Sequence, residues 1–415
     1  MKKLQHIIMI ALILLGLVTP ALAQEQTDNF NVSAKHAIAI EATTGKVLYE
    51  KDATTPDGVA SMTKILTAYM VYKAVDQEKI TWDTEVDISD YPFNLTVDSE
   101  VSNVPLDSRK YTVKQLLDAT LISSANSAAI ALAEKISGSE SAFVDTMTAQ
   151  LKEWGITDAK LFNASGLNNK YLGDNRYPGS KADDENTMSA LDVAIIADHL
   201  IKDYPQVLEI TKQTETDFEG NNKLTTHNYM LEGQDNYREG VDGLKTGTTE
   251  LAGASFVAHA NENGMSLITV VMNADNGGED EAARFTATNE LLDYVTQNWK
   301  IKTLNTKGQI VKKNDIKVAD GDSQTISAKL ESDLTVVQKI NSKNDAVKIK
   351  AKTITAPIKK DDTIGTATFD DKDLVGTGYI SDPPQISVTA NQSIKKSFFL
   401  KVWWNHIVNF FTGNK

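Results

Sequence analysis

Three short elements carry side chains suited to nucleophilic chemistry. The first is Ser61-Met62-Thr63-Lys64. On a helix, residues three apart share a face about one turn apart, which makes the Ser61 hydroxyl and the Lys64 amine neighbours. A serine hydroxyl is a weak nucleophile until a base removes its proton. A neutral Lys64 is a candidate base. The ordinary lysine pKa is about 10.4, so neutrality near pH 7 costs about 4 kcal/mol. Burial and a second nearby cation can impose that cost. Ser61, at the N-terminal end of its helix, would also feel the positive end of the helix dipole.

The second element is Ser124-Ala125-Asn126. A second hydroxyl there could pass a proton from the base to a departing amine, and Asn126 could hold a substrate amide. A plain helix cap is the competing reading of Ser124. The third is Lys245-Thr246-Gly247-Thr248, which occurs once. On an edge strand it would present a cation, a hydroxyl and open backbone to a ligand. Gly247 would leave room for close approach of substrate. Each signal alone is weak. Ser393-Ile394-Lys395-Lys396 also fits S-x-x-K, and Ser342-Lys343-Asn344 also fits S-x-N. The order and spacing of the three are more specific, with steps of 63 residues (124 − 61) and 121 residues (245 − 124).

These elements need a scaffold. The apolar pattern predicts a helix over 61–76 with a buried stripe, and one or two Ala-rich helices over 112–137. His36–Glu41 and Val47–Glu50 read as strands joined at Thr43-Thr44-Gly45. Residues 160–186 are polar and read as loop. Residues 187–202 return to helix, with Thr187 as cap. Ala254–Ala260 and Met265–Met272 read as a hairpin around Asn261–Gly264, and Glu281–Trp299 as a closing helix. After about residue 303, Val347, Ile349 and Ala351 alternate with Lys348, Lys350 and Lys352, a half-buried strand pattern. A small all-β domain is expected there.

Composition removes other chemistries. The 415 residues carry 42 Lys+Arg against 56 Asp+Glu, a net charge of −14. A nucleic-acid binder should show the opposite balance. Cys is absent, so no thiol nucleophile or Cys-ligated metal is available. His36, His199, His227, His259 and His406 sit in no recognised nucleophile context and read as structural or surface residues. Asp183-Asp184-Glu185 reads as a solvated acidic loop.

The ends differ from the middle. Lys2 and Lys3, an apolar run over Ile7–Val18 and Ala21-Leu22-Ala23 match a signal peptide over 1–23. Its removal makes the charge −16, since 40 − 56 = −16. Residues 391–415 read as an amphipathic helix. Leu400, Trp403, Trp404, Ile407 and Phe411 share one half of the wheel, while Lys395, Lys401, Asn405 and His406 share the other. Such a helix would lie in a membrane interface.

The motif set S-x-x-K, S-x-N, K-T-G resembles that of penicillin-binding proteins and serine β-lactamases. With the β domain and the tail, the chain is similar to the low-molecular-mass penicillin-binding proteins, which are serine D-alanyl-D-alanine carboxypeptidases. The resemblance implies an α/β (α+β) transpeptidase/β-lactamase-like domain over 30–300, with an antiparallel sheet flanked by helices. A β-rich domain over 304–390 and a C-terminal amphipathic helix over 391–415 follow. It implies that Ser61 attacks the terminal D-alanyl-D-alanine bond of a peptidoglycan stem peptide and that Lys64 takes its proton. Ser124 and Lys245 would relay a proton to the departing D-alanine. The backbone N–H groups of Ser61 and Thr248 would form the oxyanion hole. Thr246, Thr248 and Arg284 would meet the substrate carboxylate. No metal or organic cofactor is implied, and β-lactams would be covalent inhibitors. Ala125 stands where many β-lactamases carry Asp, and no deacylating Glu motif is found, so efficient β-lactam hydrolysis is not expected. The alternatives on the same scaffold are a D,D-endopeptidase or transpeptidase, or a non-catalytic peptidoglycan-binding protein. Localisation outside the cytoplasmic membrane, held to its outer face by the tail, completes the expectation.

Overall fold

Strand β1, Ala34–Glu41, is buried along almost its whole length, as a strand must be when its sheet is covered on both faces. A turn over 42–45 returns the chain into β2, Lys46–Lys51. The computed structural model describes residues 29–97, 100–220, 222–311, 315–351, 353–398, 400 and 402–403. The expected signal peptide and most of the expected tail helix lie outside the described residues. Within Val32–Lys415, three further strands complete a sheet: β3, Val241–Thr249; β4, Gly253–Glu262; and β5, Met265–Ala274. The order is β2-β1-β5-β4-β3, antiparallel throughout, which leaves the K-T-G strand β3 at an edge. The β4–β5 turn uses Asn263 and Gly264, both at positive φ, as a two-residue hairpin turn requires.

Alternation assigns the two faces of the sheet. Ile38, Ile40, Val257, Ile268 and Val270 join the main core. Phe256, next to Val257, points the other way and meets Phe285 edge-on at 5.3 Å. Phe285 belongs to the closing helix, Ala283–Asn298. The main core is completed by helices.

Helix α1 is Lys64–Asp76, entered through a 3-10 turn over Ala60–Thr63. Burial runs unbroken from Lys64 to Tyr69, so α1 is a central helix rather than one with a single apolar stripe. The 112–137 region forms two helices, α2 (Val113–Leu121) and α3 (Asn126–Ser137). Ser124 lies in the break between them at φ +56, so it caps neither. Helix α4 is Glu140–Glu153 and α5 is Ala190–Asp203. Thr187 does not cap α5; it pairs with Gly58 in a short strand contact. Ser189 is the cap. Its Oγ accepts from Asp192 N while the Asp192 carboxylate accepts from Ser189 N, a reciprocal box. The closing helix is α6.

The C-terminal region is all-β among the described residues 303–390. β6 (Trp299–Asn305) pairs with the later strand Leu334–Lys339, while Ala328–Leu330, Val347–Lys350, Thr363–Phe369 and Gln385–Ala390 share a second sheet. Ile394, expected in the tail, is 2% exposed in this domain's core and bridges to Ile358. The decoy S-x-x-K at 393–396 is therefore a strand contact, and its Ser393 Oγ accepts from Lys360 N at 2.9 Å. Beyond it, Leu400 and Trp403 are helical and exposed. No described helix is long and apolar enough to cross a membrane.

Candidate active site

The turn before α1 places Ser61 above Lys64, and Lys64 Nζ lies 2.8 Å from Ser61 Oγ. Two other groups surround that amine. Asn126 Oδ1 lies 2.6 Å away and the Ser165 carbonyl oxygen 2.7 Å away. Asn126 Nδ2 donates to Ser102 O at 2.9 Å, which fixes the amide orientation and leaves Oδ1 as the acceptor. A neutral lysine has two N–H donors and one lone pair. The amide oxygen and the carbonyl can only accept, so they take the two N–H donors. The lone pair then faces the Ser61 hydroxyl proton. Burial lowers the Lys64 pKa well below the ordinary lysine value, and the charge of Lys245 lowers it further. The three-residue spacing does bring the Ser61 hydroxyl and the Lys64 amine within hydrogen-bond distance.

The second motif lies beside the first. Ser124 lines the cleft beside Ser61. Asn126 is buried, with Oδ1 on Lys64 Nζ and Nδ2 on Ser102 O. From the third motif, Thr246 and Thr248 line the cleft. Burial, with the positive Arg284 nearby, lowers the Lys245 pKa to about 7. Its Nζ donates to the Thr246 carbonyl at 3.1 Å. Gly247 is needed for a reason other than substrate approach. A Cβ there would stand 2.8 Å from the Val59 carbonyl oxygen and 3.3 Å from Ala60 Cβ. The glycine lets the edge strand close onto the nucleophile turn. Arg284, buried on α6, donates from Nη1 to Gly247 O at 2.9 Å and from Nη2 to Thr248 Oγ1 at 2.8 Å.

Several site residues escaped sequence reasoning. Ser165 sits in the segment read only as loop. Asn163 Oδ1 accepts from Gly166 N at 2.7 Å, a turn signal legible in Asn163-Ala164-Ser165-Gly166. Gly166, at φ +78, has no room for a side chain, since a Cβ would lie 1.7 Å from Ala60 O. Glu140 holds the same turn by accepting from Ala164 N at 2.9 Å and from the Tyr91 hydroxyl at 2.7 Å. Its burial raises its pKa to about 7. Glu185 is not a solvated loop residue. It is buried and accepts from Thr249 Oγ1 at 2.6 Å, anchoring the end of the K-T-G strand. His227, read as structural, lines the cleft, and burial beside Lys245 lowers its pKa to about 4. The cleft holds about 340 Å³.

The family model described as D-alanyl-D-alanine carboxypeptidase matches residues 22–276. The chain belongs to that family. A second model, the C-terminal domain of penicillin-binding protein 5, matches residues 299–396. D-alanyl-D-alanine carboxypeptidase DacF of Bacillus subtilis is 30% identical over 410 residues, covering 96% of each chain. The crystal structure of a peptidoglycan synthesis regulatory factor (PBP3) from Streptococcus pneumoniae is 51% identical, with a TM-score of 0.80 over 88% of this chain and 100% of that one. Penicillin-binding protein D2 of Listeria monocytogenes, solved in an ampicillin-bound form, is 28% identical. Its TM-score is 0.54 over 64% of this chain and 98% of that one. In this carboxypeptidase family member the expected α+β domain and the all-β domain are both present.

Proposed function

We propose that this protein is a serine-type D-alanyl-D-alanine carboxypeptidase that removes the terminal D-alanine from peptidoglycan pentapeptide stems. The carrying observation is the buried Lys64 amine, 2.8 Å from Ser61 Oγ and held by two groups that can only accept, Asn126 Oδ1 and Ser165 O. Ser61 Oγ attacks the carbonyl between the two D-alanines as Lys64 takes its proton. The backbone N–H groups of Ser61 and Thr248 receive the developing oxyanion, at about 3 to 4 kcal/mol per donor. The close packing of Gly247 on the nucleophile turn supports this pairing. The C–N bond then breaks, and the proton that Lys64 took passes by way of Ser124 and Lys245 to the departing amine, leaving Lys64 neutral. A Lys245 pKa of about 7 suits a group that must both hold and release a proton near neutrality. Water hydrolyses the Ser61 ester with Lys64 again as base. A penicillin would acylate the same oxygen, and its leaving nitrogen stays tethered, so the ester persists.

The test compares release of D-alanine from a peptide ending Lys-D-Ala-D-Ala by the protein and by Ser61→Ala. Release that vanishes in the variant supports the reading. No release from folded wild-type protein would point to an endopeptidase, a transpeptidase or a non-catalytic binder.

The same reading extends to location. A signal peptide over 1–23 would export the chain, and the tail would rest on the outer face of the cytoplasmic membrane. Exposed, helical Leu400 and Trp403 support an amphipathic segment beginning there. Deleting residues 399–415 should move the protein from the membrane to the soluble fraction with turnover retained. Persistent membrane binding would remove the tail from that role.

A further inference from the structure

An arginine has five N–H donors, and Arg284 has a protein acceptor for each. Nε donates to Glu281 O at 2.7 Å, and Nη1 donates to Gly247 O at 2.9 Å and Ser255 O at 3.2 Å. Nη2 donates to Thr248 Oγ1 at 2.8 Å and to Glu281 Oε2 at 3.0 Å. The first four acceptors are neutral. The fifth is a carboxylate on a side chain that is 72% exposed, while Arg284 itself is 2% exposed. Glu281, Thr248 and Arg284 all line the cleft that holds Ser61. A ligand carboxylate approaching Thr248 and Nη2 therefore meets a carboxylate of the protein already on that donor.

We propose that Glu281 is an internal competitor for the ligand carboxylate: it holds Arg284 Nη2 in register and must swing into solvent when a C-terminal carboxylate takes its place. This rests on the carboxypeptidase reading of the cleft. Displacement is cheap, because the exposed Glu281 side chain has solvent to move into and the incoming carboxylate restores the charge on Nη2. Arg284 remains aligned meanwhile, because its Nε, its two Nη1 bonds and its bond to Thr248 do not involve the Glu281 carboxylate. Glu281 thus sets a selection step. Ligands with a well-placed anion displace it and regain the contact, whereas the approach of any anion is opposed by like charge.

The test uses the full-length protein and Glu281→Gln, which keeps the size and an amide oxygen for Nη2 but removes the charge. Second-order acylation rates are measured with benzylpenicillin and with its neutral methyl ester. Glu281→Gln should raise the benzylpenicillin rate by about two- to five-fold and leave the ester rate unchanged. The gain should fade at about 1 M salt, where the screening length falls to about 3 Å. Equal changes for both ligands would mean a merely structural role and overturn the proposal, as would no change for either. If wild-type protein is not acylated by benzylpenicillin at all, the underlying reading falls and this inference with it. Acylation of wild type with an unaltered acid-to-ester ratio overturns the role of Glu281 alone.

Discussion

Lys46, at the seam between the sheet domain and the β domain, and Lys64, beneath Ser61, are both fully buried. Their neighbours differ. Lys46 Nζ meets Asp371 Oδ2 at 2.7 Å and donates to Val337 O at 2.9 Å, with the Trp299 ring 4.8 Å away. Burial lowers its pKa, and the Asp371 carboxylate opposes that fall. Lys64 meets a hydroxyl, an amide oxygen and a carbonyl oxygen, and its nearest charged influence is another cation. Burial makes any ammonium costly. A carboxylate partner keeps the proton and turns the lysine into a strut between domains. Neutral acceptors and a second cation favour loss of the proton, which suits the proposed base.

The largest expected effect comes from giving Lys64 what Lys46 has. Asn126→Asp would place a carboxylate on its Nζ and stabilise the ammonium. Acylation by benzylpenicillin at neutral pH should fall about 100-fold, the scale of a lost general base. The rate should recover as pH rises toward the ordinary lysine range. Inactivity at every pH would instead indicate a packing defect. The converse change removes the partner from Lys46. Asp371→Asn leaves a buried ammonium without its counter-ion and should cost about 3 kcal/mol of stability, read by denaturant unfolding. Acylation by the folded variant should stay close to wild type, because Asp371 does not touch the cleft. A large loss of rate would show that the seam and the cleft are coupled.

The sequence made one side of this comparison legible. Ser61 and Lys64 are three apart on a helix, and the third motif falls on a strand before a clear hairpin, so the main site and the sheet could be anticipated. What decided the chemistry was less visible. The Ser165 carbonyl is backbone, and only its turn, Asn163 to Gly166, leaves a trace. Asn126 reads from sequence as a substrate-amide contact, and only the fold shows that its Oδ1 also meets Lys64 Nζ. Glu185 stands in an acidic run that reads as solvated, and only the fold brings it under Thr249. Gly247 signals a close approach, but the sequence could not say that the approaching group is the Val59 carbonyl. Lys46 carried no signal at all, because its partner Asp371 lies 325 residues away (371 − 46).

Burial and the charge of Lys245 hold the Lys64 pKa well below the ordinary lysine value. The most direct measurement is the pH dependence of the acylation rate with benzylpenicillin, from about pH 5 to about pH 10, on the intact protein. A base whose pKa burial has lowered gains activity as it loses its proton, so the rising limb should level off well below the ordinary lysine range. A rate that continues to climb about tenfold per pH unit toward the ordinary lysine pKa of about 10.4 would contradict the claim.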